Sequence, residues 1–140
     1  MEVVGGIVLG RSWNDLIVWQ KAHNLVLEIF EIVKTFPNEE KYCIVSQIKR
    51  SVYSVPANIV EGHSKNSNKD FIKYLYIARG SAEELKYFLL LSRDLEYLEN
   101  SVYEDLLSKL NEISYLLNRL IKSLTSNTLS TSNTSNTFTN

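Results

Sequence analysis

RSVYSVPANIVEGHSKNS, residues 50–67, is the stretch on which the fold turns. Ile44, Ile48, Val52, Val55 and Ile59 recur every three or four residues across it, which is the period of one helix face. Pro56 interrupts that face, and Ala57, Asn58, Glu61 and Gly62 follow closely. A proline inside a helix removes one backbone donor, so the carbonyl of Val52 loses its partner and the helix is expected to bend. The small residues Ser54, Ala57, Gly80 and Ser81 are expected to let this helix cross the next one closely. Arg50, Asn58, Glu61 and Glu84 are expected to form one satisfied polar cluster near the crossing, with a ligand site made of the same residues as the alternative.

Working outward, four helical segments and no convincing strand emerge. The first spans about residues 15–36, with Leu16, Trp19, His23, Val26, Phe30 and Val33 on one stripe and Pro37 as its stop. The second spans about residues 39–61, with Asn38 as its cap and Gly62 suited to the position just past its end. Ser67 and Asp70 form a capping box for the third. Its stripe is Phe71, Leu75, Ala78, Ala82, Leu85, Leu89 and Ser92. Ser101 and Glu104 open the fourth in the same way, and its stripe is Tyr103, Leu106, Leu110, Ile113, Leu117, Leu120 and Leu124. Short connections make successive helices antiparallel neighbours. The spacing therefore predicts an all-α, up-down-up-down antiparallel four-helix bundle over residues 13–124. Residues 1–12 are expected to be a flexible arm, and the Ser/Thr/Asn-rich residues 125–140 a disordered tail.

Composition narrows the function. The chain has 140 residues, 44% of them hydrophobic and 22% charged, with a net charge of −1. Cys43 is its single cysteine, which excludes an intrachain disulfide and a Cys-based zinc site; a small buried thiol is expected. No segment has the length of a membrane span, and a cytoplasmic protein is expected. The sequence contains no Glu-x-x-His pair and no phosphate-binding glycine loop, and Glu83 and Glu84 point about 100° apart on a helix. No catalytic residues, metal ligands or cofactor are predicted.

The charge is unevenly distributed. Residues 41–93 carry nine basic and four acidic groups, whereas the remainder carries six basic and twelve acidic ones. The middle helices are therefore expected to be basic and the outer ones acidic. That pattern suits an anionic partner, or a second copy docked head to tail. Ile17, Val18, Leu25, Leu27 and Ile29 in the first helix, and Tyr74, Tyr76, Tyr87 and Phe88 in the third, add apolar surface beyond the core stripes, as an interface would.

SQIKRSVYSVPANIVEGHSKNSNKDFIKYLYIARGSAEEL, residues 46–85, closely resembles the signature of a four-helix-bundle family first described from 23S rRNA intervening sequences, also labelled as ribosomal proteins of the S23 type. The matching positions include Gln47, Arg50, Ser54, Pro56, Ala57, Asn58, Glu61, Gly62, Ser67, Phe71, Gly80, Ser81 and Glu84. DLIVWQKA at residues 15–22 and EYLENSVYEDL at residues 96–106 resemble the family's first-helix and third-to-fourth connection motifs. Glu96 departs from the pattern, standing where members often have Gly. The resemblance implies a bacterial protein that forms homo-oligomers, pentamers in several members. It is also similar to accessory proteins of diversity-generating retroelements, which are markedly basic. Two functions are thus expected in order: a non-enzymatic oligomeric binding or scaffold protein, and then an accessory protein that binds RNA, DNA or a reverse transcriptase. The second would use Lys41, Lys49, Arg50, Lys65, Lys69, Lys73, Arg79, Lys86 and Arg93.

Overall fold

The computed structural model describes residues 2–4, 7–9 and 12–135, with side chains described for residues 12–127. Four helices form the antiparallel bundle: α1 (Ile17–Ile32), α2 (Ile44–His63), α3 (Asn68–Asp94) and α4 (Asn100–Ser135). Single 3-10 turns precede α1 (Trp13–Asp15), follow it (Val33–Thr35) and lead toward α2 (Asn38–Glu40). The core runs unbroken through all four helices, and Ile29, Ile48, Ile59, Leu75, Leu85, Leu106, Leu110 and Leu117 are fully enclosed. The heptad-like stripes of α3 and α4 are buried as their spacing predicts.

Several boundaries differ from the sequence expectation. The chain before the bundle contains a short antiparallel ladder, β1 (Glu2–Val4) with β2 (Ile7–Leu9), in which Val3 opposes Val8. Its strands are the β-branched runs on either side of the Gly5-Gly6 sequence, a spacing that suits a two-stranded hairpin rather than a loose arm. At the other end α4 does not stop at Leu124 but runs on to Ser135. An existing helix adds residues without paying for a new nucleus, so a polar segment of middling propensity can extend it. Residues 136–140, the rest of the expected tail, lie outside the described residues.

The stripe of α1 is also rotated from the expected one. Val18, Ala22, Leu25 and Ile29 are its buried residues, while Trp19, Val26 and Phe30 flank the core and His23 is exposed. Apolar residues occupy several faces of α1, so its own pattern allows two phases, and only packing against α2 and α4 selects one. Cys43 is exposed rather than buried, because it sits at the N-cap of α2 in the turn that follows Lys41. α2 therefore begins at Ile44, and Asn38 starts a separate 3-10 turn instead of capping it.

The two ends of α3 follow sequence rules closely. Ser67 accepts from the Asp70 amide at 3.2 Å and donates to the Asp70 carboxylate at 3.0 Å. At the far end Tyr97 N–H reaches the Ser92 carbonyl and Glu96 N–H the Arg93 carbonyl, each at 2.9 Å. This is the paired-bond helix terminus that needs a left-handed residue, and Glu96 supplies it with φ of 64°. The departure at Glu96 thus leaves the loop geometry intact and stores the strain in one residue.

Gly62 is not past the end of α2 but buried in its last turn. A Cβ there would stand 2.7 Å from Tyr74 Cβ and 2.9 Å from Phe71 Cδ2, so glycine is present for close approach of α2 to α3. Gly80 is the reverse case: a Cβ would meet nothing within 4 Å, and Ala57 is likewise exposed. Neither forms the helix crossing. Gly80→Ala should therefore stabilise the fold by about 0.5–1 kcal/mol through helix propensity, and Gly62→Ala should destabilise it by about 1–3 kcal/mol through overpacking. Urea unfolding of the two variants checks both signs. Glu96→Gly should relieve the left-handed strain and add about 1 kcal/mol, read in thermal melts as a rise of roughly 3–6 °C.

Candidate binding surfaces

Each seam between neighbouring helices carries a different chemistry, and the signature residues occupy the α2–α3 seam. Ser54 and Ser81 hydroxyls meet at 2.9 Å across it. Asn58 donates to the Ser54 carbonyl at 2.8 Å and to its hydroxyl at 2.9 Å. One turn away, Glu84 accepts from Arg50 and, at 3.0 Å, from Ser51, whose fully buried hydroxyl lies 2.7 Å from the Gln47 carbonyl. Gln47 also accepts from the Arg50 guanidinium. The expected single cluster is therefore two adjoining ones. Glu61 belongs to neither; it pairs with Lys65 at 3.2 Å on its own helix. Among the described residues no buried side-chain polar atom lacks a partner, so this seam is a satisfied structural joint.

The α1–α4 seam is held by ions. Lys109 contacts both carboxylate oxygens of Glu28, at 2.9 and 3.0 Å, and Asp105 at 2.9 Å; Lys21 pairs with Glu112 at 2.9 Å. The hydrogen bond to Glu28, then that to Asp105, holds the Lys109 ammonium above its ordinary pKa of 10.5. A lysine with a raised folded-state value contributes its full stability below the unfolded value and loses it as pH rises through the folded one. The stability lost in Lys109→Met should therefore be constant from about pH 7 to 9 and shrink at higher pH, as thermal melts at matched salt would show.

The nine basic residues expected to bind a polyanion do not form one surface. Carboxylates engage four of them: Arg50 with Glu84, Lys65 with Glu61, Lys86 with Glu83 and Arg93 with Asp94. Lys49 lies over the Phe30 ring at 5.0 Å and Lys41 over Tyr42 at 5.4 Å, at the end of the bundle holding the α1–α2 connection. Lys69, Lys73 and Arg79 remain, on the opposite half of α3. The charge division also differs from the expected one between middle and outer helices. All carboxylates of α4 fall between Asn100 and Glu112, whereas Arg119 and Lys122 follow, so the helix is acidic at one end and basic at the other.

The outer face of the α1–α2 seam carries apolar and aromatic groups beyond the Lys49–Phe30 contact. The Lys49–Phe30 contact fixes the register, which sets Leu27 level with Tyr53 and His23 level with Ala57. Leu27 is 56% exposed and Tyr53 50%. Beside them the His23 ring stacks on Trp19, with centroids 5.0 Å apart and planes 6° from parallel. Of the residues expected to provide interface surface, Ile17, Leu27, Tyr76 and Tyr87 are exposed, while Val18, Leu25 and Ile29 are core and Tyr74 and Phe88 are half-buried.

The geometry and the signature together meet an independent finding. A family model described as 23S rRNA-intervening sequence protein matches residues 14–119. The chain belongs to that family. It is also similar, at 36% identity and a TM-score of 0.71, to the crystal structure of a protein of unknown function from the S23 ribosomal protein family of Bacteroides thetaiotaomicron. The match covers 76% of this chain and 96% of that one. No curated protein matches the chain. The matched span takes in the α2–α3 joint and the α1–α4 ion pairs, and it ends at Arg119. Among the described residues no helix is long and apolar enough to cross a membrane.

Proposed function

We propose that this family member is a non-enzymatic, oligomeric binding protein whose subunits join through the outer face of the α1–α2 seam. One observation carries the reading: Leu27 and Tyr53 lie exposed beside the Trp19–His23 stack, on one side of the bundle. Charged side chains are depleted and aromatic ones enriched at the centres of protein interfaces. Burying exposed apolar and aromatic groups such as these costs less than burying unpaired charges. The resemblance favours five subunits.

Light scattering coupled to size exclusion should give a multiple of 16.1 kDa, with five copies expected. Leu27→Glu with Tyr53→Glu should lower that mass while leaving the helical circular dichroism unchanged, because both side chains lie outside the core. A monomer at about 10 μM in the unsubstituted protein, or an unchanged mass in the double variant, would overturn the reading.

A further inference from the structure

We infer that the outer face of the α3–α4 seam, at the end of the bundle where α3 begins, is a binding surface for a single-stranded nucleic acid. The inference goes beyond the oligomer reading and concerns a different face.

Register comes from the hydrogen bond between Arg79 and the Asn118 side chain, 3.0 Å, which ties the two antiparallel helices together. From Arg79 back toward the start of α3, Tyr76, Lys73 and Lys69 follow at helical spacing on its outer side. On α4 the same face holds Tyr115, Asn118, Arg119 and Lys122, with Lys122 level with the turn between Lys73 and Tyr76. Lys69, Lys73, Arg79, Arg119 and Lys122 thus supply five positive charges, and none has a carboxylate partner among the described residues. The nearest acids are occupied elsewhere: Asp70 caps α3 through Ser67, Glu83 pairs with Lys86, and Glu112 pairs with Lys21. Six of the nine expected cations are thereby excluded, four by carboxylate partners and Lys41 and Lys49 by their position at the opposite end, while Arg119 and Lys122 on α4 are added.

Charge alone would suit any polyanion, but the aromatics make the choice. Tyr115 is 64% exposed and Tyr76 47%, and Arg79 lies 4.6 Å over the Tyr76 ring. Exposed rings beside unpaired cations form the stacking platform that unpaired bases occupy, while a duplex keeps its base faces hidden. Lys69 to Arg79 spans ten residues, or about 15 Å of helix, enough to track a few nucleotides of backbone.

The test is fluorescence anisotropy with a labelled oligouridine of about 20 nucleotides, using the full-length protein. Binding is expected at about 50 mM salt, with log affinity falling against log salt at a slope near −3.5 if all five cations contact phosphate. Lys73→Glu with Arg119→Glu and Lys122→Glu should weaken it at least about tenfold, and Tyr76→Ala with Tyr115→Ala about fivefold or more. Lys41→Glu with Lys49→Glu, at the opposite end, should change it less than about twofold. No binding at about 50 mM salt, an unaffected triple variant, or tighter binding of duplex DNA would each overturn the inference. Light scattering on the same variants separates this from the oligomer reading. A triple variant that keeps its mass and loses RNA supports the surface; one that loses both assigns the face to subunit contact instead. If Leu27→Glu with Tyr53→Glu leaves RNA binding intact, the surface stands whatever the mass shows.

Discussion

The contact on which the bundle depends is the one Gly62 makes with Phe71 and Tyr74. With hydrogen in place of a methyl group, the last turn of α2 comes within van der Waals reach of the first turns of α3. The connection between them is short, so the closeness at this end carries along the seam. It lets the Ser54 and Ser81 hydroxyls touch at 2.9 Å, and it brings Arg50 and Ser51 to Glu84. A wider separation would leave the half-buried Ser54 and Ser81 hydroxyls without each other and the buried Ser51 hydroxyl without Glu84. The polar cluster is therefore a consequence of the glycine as much as of its own residues.

Pro56 fits within the same arrangement. It is buried on the inner side of a helix that continues through it from Ile44 to His63. Two residues on either side, Asn58 turns its amide back onto the Ser54 carbonyl at 2.8 Å. The backbone around the missing donor is thus reinforced by side-chain bonds from the polar residues that accompany the proline in the sequence. The signature reads as one joint: a proline, a side-chain strap over it, small hydroxyls at the crossing and a glycine where the helices are closest.

That joint leaves the other seams free to differ. The α1–α4 seam is ionic, the α1–α2 outer face exposes apolar and aromatic groups, and the α3–α4 outer face is basic at one end. A bundle whose stability resides in a continuous apolar core can vary its outer faces at little cost, since surface substitutions away from caps and ion pairs change stability only slightly. Binding chemistry can thus be placed on one seam and subunit contact on another.

The sequence by itself determined the four helices of the bundle and the class of fold. Strict three-four alternation in α3 and α4 permits a single buried phase, and the Ser67–Asp70 pair marks a helix start by local bonding alone. What depends on neighbours was not legible. The phase of α1 was ambiguous because apolar side chains occupy several of its faces, and only the adjoining helices choose Val18, Ala22, Leu25 and Ile29. Gly62 and Gly80 look alike in sequence, yet only one has an atom in front of it. The cations likewise look equivalent along the chain. Some carboxylate partners lie within one turn, as Glu61 does from Lys65, but others are far away in sequence, as Glu84 is from Arg50 and Glu28 from Lys109, and there helix register decides which charges are neutralised. Local rules act over one turn of helix, whereas the surface is assembled from turns that are distant in the chain and adjacent only after folding.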